Sequence, residues 1–217
     1  MAKIAVILGA TGLVGSALTE ELLKDSSFAI IRLVGRRYIP ATDPRIEQKL
    51  IDFETEGALE TALEGASVVF CAVGTTLRKV GGDMEAYRKV DFDIPVKAAK
   101  ACKTLGIRCF SLVSSVGADA ESSNFYLRLK GEVESAVQAV GVDSIGIFRP
   151  SMLLGKRTES RPAEQVGRWL MPIFSFLIPS KYKPISGQQV ARAMLHYAKK
   201  GEKGSRVYHF QEMVRPG

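Results

Sequence analysis

The chain has 217 residues, 46% of them hydrophobic, and 30 Lys and Arg stand against 23 Asp and Glu for a net charge of +7. That length and composition exclude a disordered segment, a collagen-like rod and a disulfide-stapled miniprotein, and they predict one globular domain with a substantial core. The basic residues are scattered among acids in runs no longer than pairs, so a solvated surface is expected and no nucleic-acid partner.

Met1-Ala2-Lys3 leads directly into the apolar run Ile4–Leu8, too short for a signal segment, and no run of about 18 uninterrupted apolar residues follows. Neither export nor integral membrane association is expected. Ile4–Leu8 reads as a strand buried on both faces, and Leu13–Lys24 carries a helical apolar stripe. Ala29–Val34 and the weaker Ile46–Ile51 follow as strands, then a short helix over Gly57–Leu63 and a strong strand over Ser67–Val73. Met84–Leu105 is helical but contains Pro95, which predicts a kink or a break into two helices. Cys109–Val113 is a strand, Tyr126–Val140 a helix closed by Gly141, and Ser144–Phe148 a strand. After Pro150 the rhythm changes: Gly155–Pro162 is polar, Val166–Ile178 is apolar but broken by Pro172, Gln188–Lys199 is a helix and Arg206–Phe210 a last strand. Strands alternating with helices predict an α/β fold, a doubly wound parallel sheet with helices on both faces. The expected organisation is a single domain over 1–217 with a small C-terminal lid at 151–185. Cys71, Cys102 and Cys109 are odd in number and form no CxxC, which predicts free thiols in a reducing cytoplasm. His196 and His209 have no metal-ligand spacing, so no metal is expected.

The first strand runs into Gly9-Ala10-Thr11-Gly12-Leu13-Val14-Gly15, a GxxGxxG. Gly9 allows the sharp turn, Gly12 lets a pyrophosphate approach the backbone, and Gly15 lets the helix pack on the strand. The helix N-terminus then offers free N–H groups to the anion. This context predicts dinucleotide binding. An acid at the end of the second strand would select NAD; the chain has Gly35-Arg36-Arg37 instead, and two guanidiniums suit the 2′-phosphate of NADP. NADP is therefore expected in preference to NAD. Asp52 can accept from the adenine amino group with Phe53 packed nearby, although Phe53 reads equally as core. Gly74 and Thr75, after the fourth strand, give small residues beside the cofactor ribose, or simply a turn.

Tyr126 and Lys130 form a YxxxK whose side chains share one helix face. A tyrosine hydroxyl ordinarily titrates near ~10, and an ammonium beside it stabilises the phenolate. Tyr126 is thus a candidate general acid/base for hydride transfer, with Lys130 also placed to bond the nicotinamide ribose. Ser115 is the candidate to hold the substrate oxygen, with Ser114 as the alternative.

These residues together resemble the short-chain dehydrogenase/reductase superfamily in its extended or atypical branch. Cys71–Thr76, Ser114–Asp119, Ser122–Tyr126, Lys130–Glu134 and Phe148–Pro150 look like segments of its Tat-interacting-protein-like subgroup. The resemblance runs from about Lys3 to Lys199. It implies Ser115, Tyr126 and Lys130 as catalytic residues, and Gly9, Thr11, Gly12, Leu13, Val14, Arg36, Arg37, Gly74 and Thr75 as cofactor contacts. It also implies that Pro150 through Leu153 flank the nicotinamide. A homodimer or a protein partner is further implied. The chain lacks the full substrate domain of the larger extended enzymes, which argues for a small substrate over a nucleotide sugar.

Two functions compete: an NADP-dependent oxidoreductase on a small carbonyl or alcohol, and an NADPH-binding sensor with little turnover. The segment Trp169–Pro179, flanked by Arg168, Lys181 and Lys183, reads as a lid over the substrate pocket, with a membrane-surface contact as the alternative.

Overall fold

The computed structural model describes residues 3–155 and 182–215. Seven strands make one parallel sheet: β1 (Ile4–Leu8), β2 (Ile30–Gly35), β3 (Ile46–Leu50), β4 (Val68–Cys71), β5 (Cys109–Val113), β6 (Ser144–Phe148) and, last in the chain, Gly204–Tyr208. Their spatial order is β3-β2-β1-β4-β5-β6 followed by that last strand. The order reverses between β1 and β4, and the crevice beyond the carboxyl ends of those two strands is where such sheets take ligands.

Alternation explains why β1 is apolar at every position. Ala5 and Ile7 face a layer that includes Leu18, Leu22, Val190 and Met194, whereas Val6 and Leu8 face one that includes Leu63, Ala98, Cys102 and Val137. The first layer belongs to α1 (Leu13–Lys24) and the Gly187–Lys200 helix, the second to α2 (Ala58–Leu63) and the helices that follow β4 and β5. The expected doubly wound sheet is what the chain forms.

The long helix divides near Pro95 into two segments whose helical backbone is continuous. α3 (Met84–Arg88) passes through a π turn, Lys89–Asp93, into α4 (Ile94–Thr104), with Pro95 in the first turn of α4, where its missing N–H costs nothing. α5 (Phe125–Val140) starts at Asn124, whose side chain accepts the Leu127 N–H at 3.2 Å, and stops at Gly141 with φ of 71°. Two short parallel segments, β7 (Leu153–Leu154) and β8 (Ile185–Ser186), pair with each other. α6 (Gly187–Lys200) follows through a capping box between Ser186 and Gln189 and packs on α1. The last strand, β9, spans Gly204–Tyr208 rather than the expected Arg206–Phe210, and Phe210 instead opens α7 (Phe210–Val214). The polar start of β9 is exposed at the sheet edge, so no apolar pattern marks it. The expected lid falls mostly on residues outside the described ones, including Trp169 and Phe174. Among the described residues no helix is long and apolar enough to cross a membrane.

Candidate active site

The crevice is walled first by the turn from β1 to α1. Gly9 has φ of +87°, and a Cβ there would lie 2.6 Å from the carbonyl oxygen of Ala72 at the end of β4. A Cβ on Gly15 would lie 2.2 Å from the Gly9 carbonyl oxygen. Both glycines are therefore required by the chain's own backbone. Gly12 differs in degree: among the described residues its Cβ would come no nearer than 3.3 Å, to the Gly9 carbonyl oxygen, a tight contact but not a collision. Among the described residues no side chain caps α1, and no acid sits in its first turn, which leaves its leading N–H groups for an anion. Thr11 is exposed, while Val14 is a core side chain that has only its backbone to offer. This cradle fits a pyrophosphate.

β2 delivers Arg36 and Arg37 to solvent, and neither makes an ion pair or hydrogen bond among the described residues. Arg32 of the same strand is spent structurally, on Glu47 at 2.7 Å and on the carbonyls of Ala62 and Glu64. Asp52 is exposed, and its carboxylate accepts the Glu54 N–H at 3.0 Å. Phe53 is 9% exposed and packs in the core, the alternative the sequence left open.

The second wall is α5. Tyr126 is 40% exposed, and the Lys130 ammonium lies 6.0 Å from its ring centroid. Lys130 itself is buried. Its Nζ pairs with Asp91 Oδ1 at 2.9 Å, and Asp91 Oδ2 accepts the Thr75 N–H at 2.7 Å. One carboxylate thus joins the YxxxK lysine to the loop after β4, where Gly74 leaves its Cβ position 3.6 Å from Asp91 Oδ1. Burial alone would drive the lysine neutral, but Asp91, with Tyr126 behind it, overrides this and holds the Lys130 pKa above its ordinary value. Asp91 was missed by the sequence reading. Its only signal is a charge on the inward face of a helix at the π turn, and π turns recur at functional sites. Gly131 was missed as well: a Cβ there would lie 2.1 Å from the Ala120 backbone nitrogen, so glycine lets the loop before α5 lie flat on the helix.

The two serines after β5 are differently employed. Ser114 is buried and donates to Glu134, which Arg149 holds through two nitrogens, at 3.0 and 2.5 Å. Ser115 is half-buried, and among the described residues its hydroxyl meets only the Val116 carbonyl, at 3.3 Å. The Val116 N–H donates to the Pro150 carbonyl at 2.9 Å, which seats Pro150 beside the serine loop, and Leu153 pairs with Ile185 in β7–β8. Among the described residues no group of His, Cys, Asp and Glu is arranged to hold a metal.

A family described as NAD(P)H-binding matches residues 9–200. Protein HTATIP2 of Rattus norvegicus is 38% identical over 200 residues, covering 89% of this chain and 80% of its own. "Protein FMP52, mitochondrial" of Debaryomyces hansenii is 35% identical over 199 residues, covering 89% of this chain and 87% of its own. Among solved structures, MoeE5 in complex with UDP-glucose and NAD superposes with a TM-score of 0.71 at 18% identity, over 97% of this chain and 79% of that one, a likeness of fold.

Proposed function

The chain belongs to the NAD(P)H-binding family as an atypical, HTATIP2-like short-chain dehydrogenase/reductase, and we propose that it is an NADP-dependent oxidoreductase acting on a small carbonyl or alcohol. The observation that carries this reading is a half-exposed phenol, Tyr126, beside a buried ammonium whose charge Asp91 compensates, at the ligand edge of the sheet.

NADPH, when bound, supplies the hydride that reaches the carbonyl carbon. The Tyr126 hydroxyl donates its proton to the carbonyl oxygen, so the product is the alcohol; in reverse it takes that proton back. Lys130 keeps a positive charge beneath the ring and stabilises the phenolate left by the transfer. Ser115 donates a hydrogen bond to the same oxygen and orients it. The engagement of Ser114 by Glu134 supports Ser115 in that role over its neighbour. The leading N–H groups of α1, at Leu13 and Val14, hold the pyrophosphate, and Arg36 and Arg37 take the 2′-phosphate. A sensor needs no proton donor, so the intact Ser115, Tyr126 and Lys130 set supports turnover over sensing alone. The three free thiols fit a reducing compartment, and the cytoplasm is the one proposed; cell fractionation tests this against the mitochondrial location in the fungal relative's name.

The test is a titration of the purified protein with NADPH and NADH, followed by nicotinamide fluorescence and repeated on Arg36→Ala. NADPH should bind more tightly, and the variant should lose the preference. Equal affinities in the unmodified protein overturn the NADP reading, and no binding of either overturns the oxidoreductase.

A further inference from the structure

We infer that Gln48, on β3, is a specificity-determining positioning residue that shapes the tripeptide Arg36–Tyr38 to receive a 2′-phosphorylated adenosine. This rests on the NADP reading and deepens it.

The tripeptide is pinned at both ends. On one side β2 ends at Gly35, which pairs with Leu50 and whose carbonyl accepts the Ile51 N–H at 3.0 Å. On the other side the side-chain amide of Gln48 takes both backbone groups of Ile39. The Ile39 N–H donates to Gln48 Oε1 at 2.9 Å, and Gln48 Nε2 donates to the Ile39 carbonyl at 2.6 Å. A carboxamide sets N–H donors beside a carbonyl acceptor in a single plane, so it reproduces a strand rung where no strand runs. The Ile39 side chain meanwhile packs against the core layer of α1 and α6. Only Arg36, Arg37 and Tyr38 remain between the two anchors, and all three are exposed, Tyr38 at 65%.

The position of this loop matters. Val34 pairs with Leu8, so Gly35 and Arg36 leave the sheet one strand, about 4.8 Å, from Gly9 of the pyrophosphate cradle. Two adjacent guanidiniums without partners repel each other, and a slack loop would spread them into water. Pinned at both ends, the loop keeps them together before any ligand arrives, which lowers the ordering cost of binding. What it presents is two planar cationic forks and an aromatic face. The forks suit a phosphate and the face suits a purine.

The experiment uses the full chain and reads binding only. Gln48→Met keeps the side chain's length and removes both hydrogen bonds; Gln48→Ala is the second variant. NADPH and NADH are titrated by fluorescence, and adenosine 2′,5′-bisphosphate and 5′-AMP by calorimetry. Losing two neutral hydrogen bonds should weaken NADPH and the bisphosphate by about tenfold, with NADH and 5′-AMP within about twofold of the unmodified protein. If Gln48 works through the arginine, the double variant Gln48→Met/Arg36→Ala binds NADPH no worse than Arg36→Ala. A Gln48→Met protein that keeps the original NADPH preference overturns the inference, as does one that loses both cofactors equally, because Gln48 would then hold the sheet edge and not the loop. An unmodified protein without any preference is a separate result and overturns the NADP reading beneath it.

Discussion

The ammonium of Lys130 and the carboxylate of Asp91 meet at 2.9 Å with side chains only 6% and 2% exposed. A charge so buried is tolerable because it is paired, and removing one partner leaves the other uncompensated. With the Lys130 pKa raised, its contribution to stability is complete below the ordinary lysine value and is lost only as pH rises through the raised one. Asp91→Asn leaves the burial of Lys130 unopposed and favours the neutral amine. Thermal unfolding should show a loss of about 3 kcal/mol or more. Turnover should fall at pH 7 and partly recover on acidification, as the lysine regains its proton.

Replacing Tyr126 by Phe removes the proton donor and leaves the ring. Turnover on any carbonyl found by screening should drop by about 100-fold or more, with NADPH affinity unchanged. Steady-state rates beside a fluorescence titration check both halves, and a variant that keeps its rate refutes the assignment.

The glycines of the first turn should separate fold from ligand. Gly15→Ala places a Cβ 2.2 Å from the Gly9 carbonyl oxygen and should cost about 2 kcal/mol or more in denaturant unfolding. Gly12→Ala has only a 3.3 Å contact to relieve, so the protein should unfold close to normally while NADPH binding falls sharply.

Burial pushes the thiols of Cys71 and Cys109 up to about 12 and about 11, and raises that of Cys102 as well. A thiol reagent at pH 8 should therefore leave the native protein unlabelled for as long as it stays folded, and should titrate three thiols per chain in denaturant. Mass spectrometry of the labelled protein gives the count.

Asp25, at the end of α1, binds Lys199 of α6 at 2.7 Å, and its pKa is lowered to about 2, chiefly by that bond. Because the folded value lies below the ordinary one near ~3.9, the stabilisation is present above about pH 4 and disappears as pH falls toward 2. The lysine is half exposed, so Lys199→Ala should cost about 1 kcal/mol or less at pH 7, and the difference should close at pH 2. Urea unfolding at the two pH values tests this.

Much of the architecture was legible because parallel strands buried on both faces are apolar throughout, as β1 and β4 are. β9 was placed two residues late because an exposed edge imposes no pattern on Ser205 and Arg206. Within the candidate site, the turn at Gly9 could be read because local spacing fixes its backbone, and the shared helix face of Tyr126 and Lys130 because four residues make about one turn. Asp91 and Glu134 could not, since each acts only through a partner distant in the chain: Lys130 for the first, Ser114 and Arg149 for the second. Gln48 lies between: its amide is ordinary in a strand until the fold brings it beside Ile39.

Leu13, in the pyrophosphate turn, lies under the far end of the chain: a Cβ on Gly187 would stand 2.8 Å from its carbonyl oxygen, and one on Gly155 would stand 2.3 Å from its side chain. The turn between β1 and α1 is therefore braced by a helix distant from it in the chain. A nascent polypeptide halted on the ribosome before Ser186 has its glycines already made yet no α6 against which to set them. Truncation within α6 should therefore disturb the turn at Leu13 without deleting any residue of that turn, a loss that denaturant unfolding of the shortened chain would register.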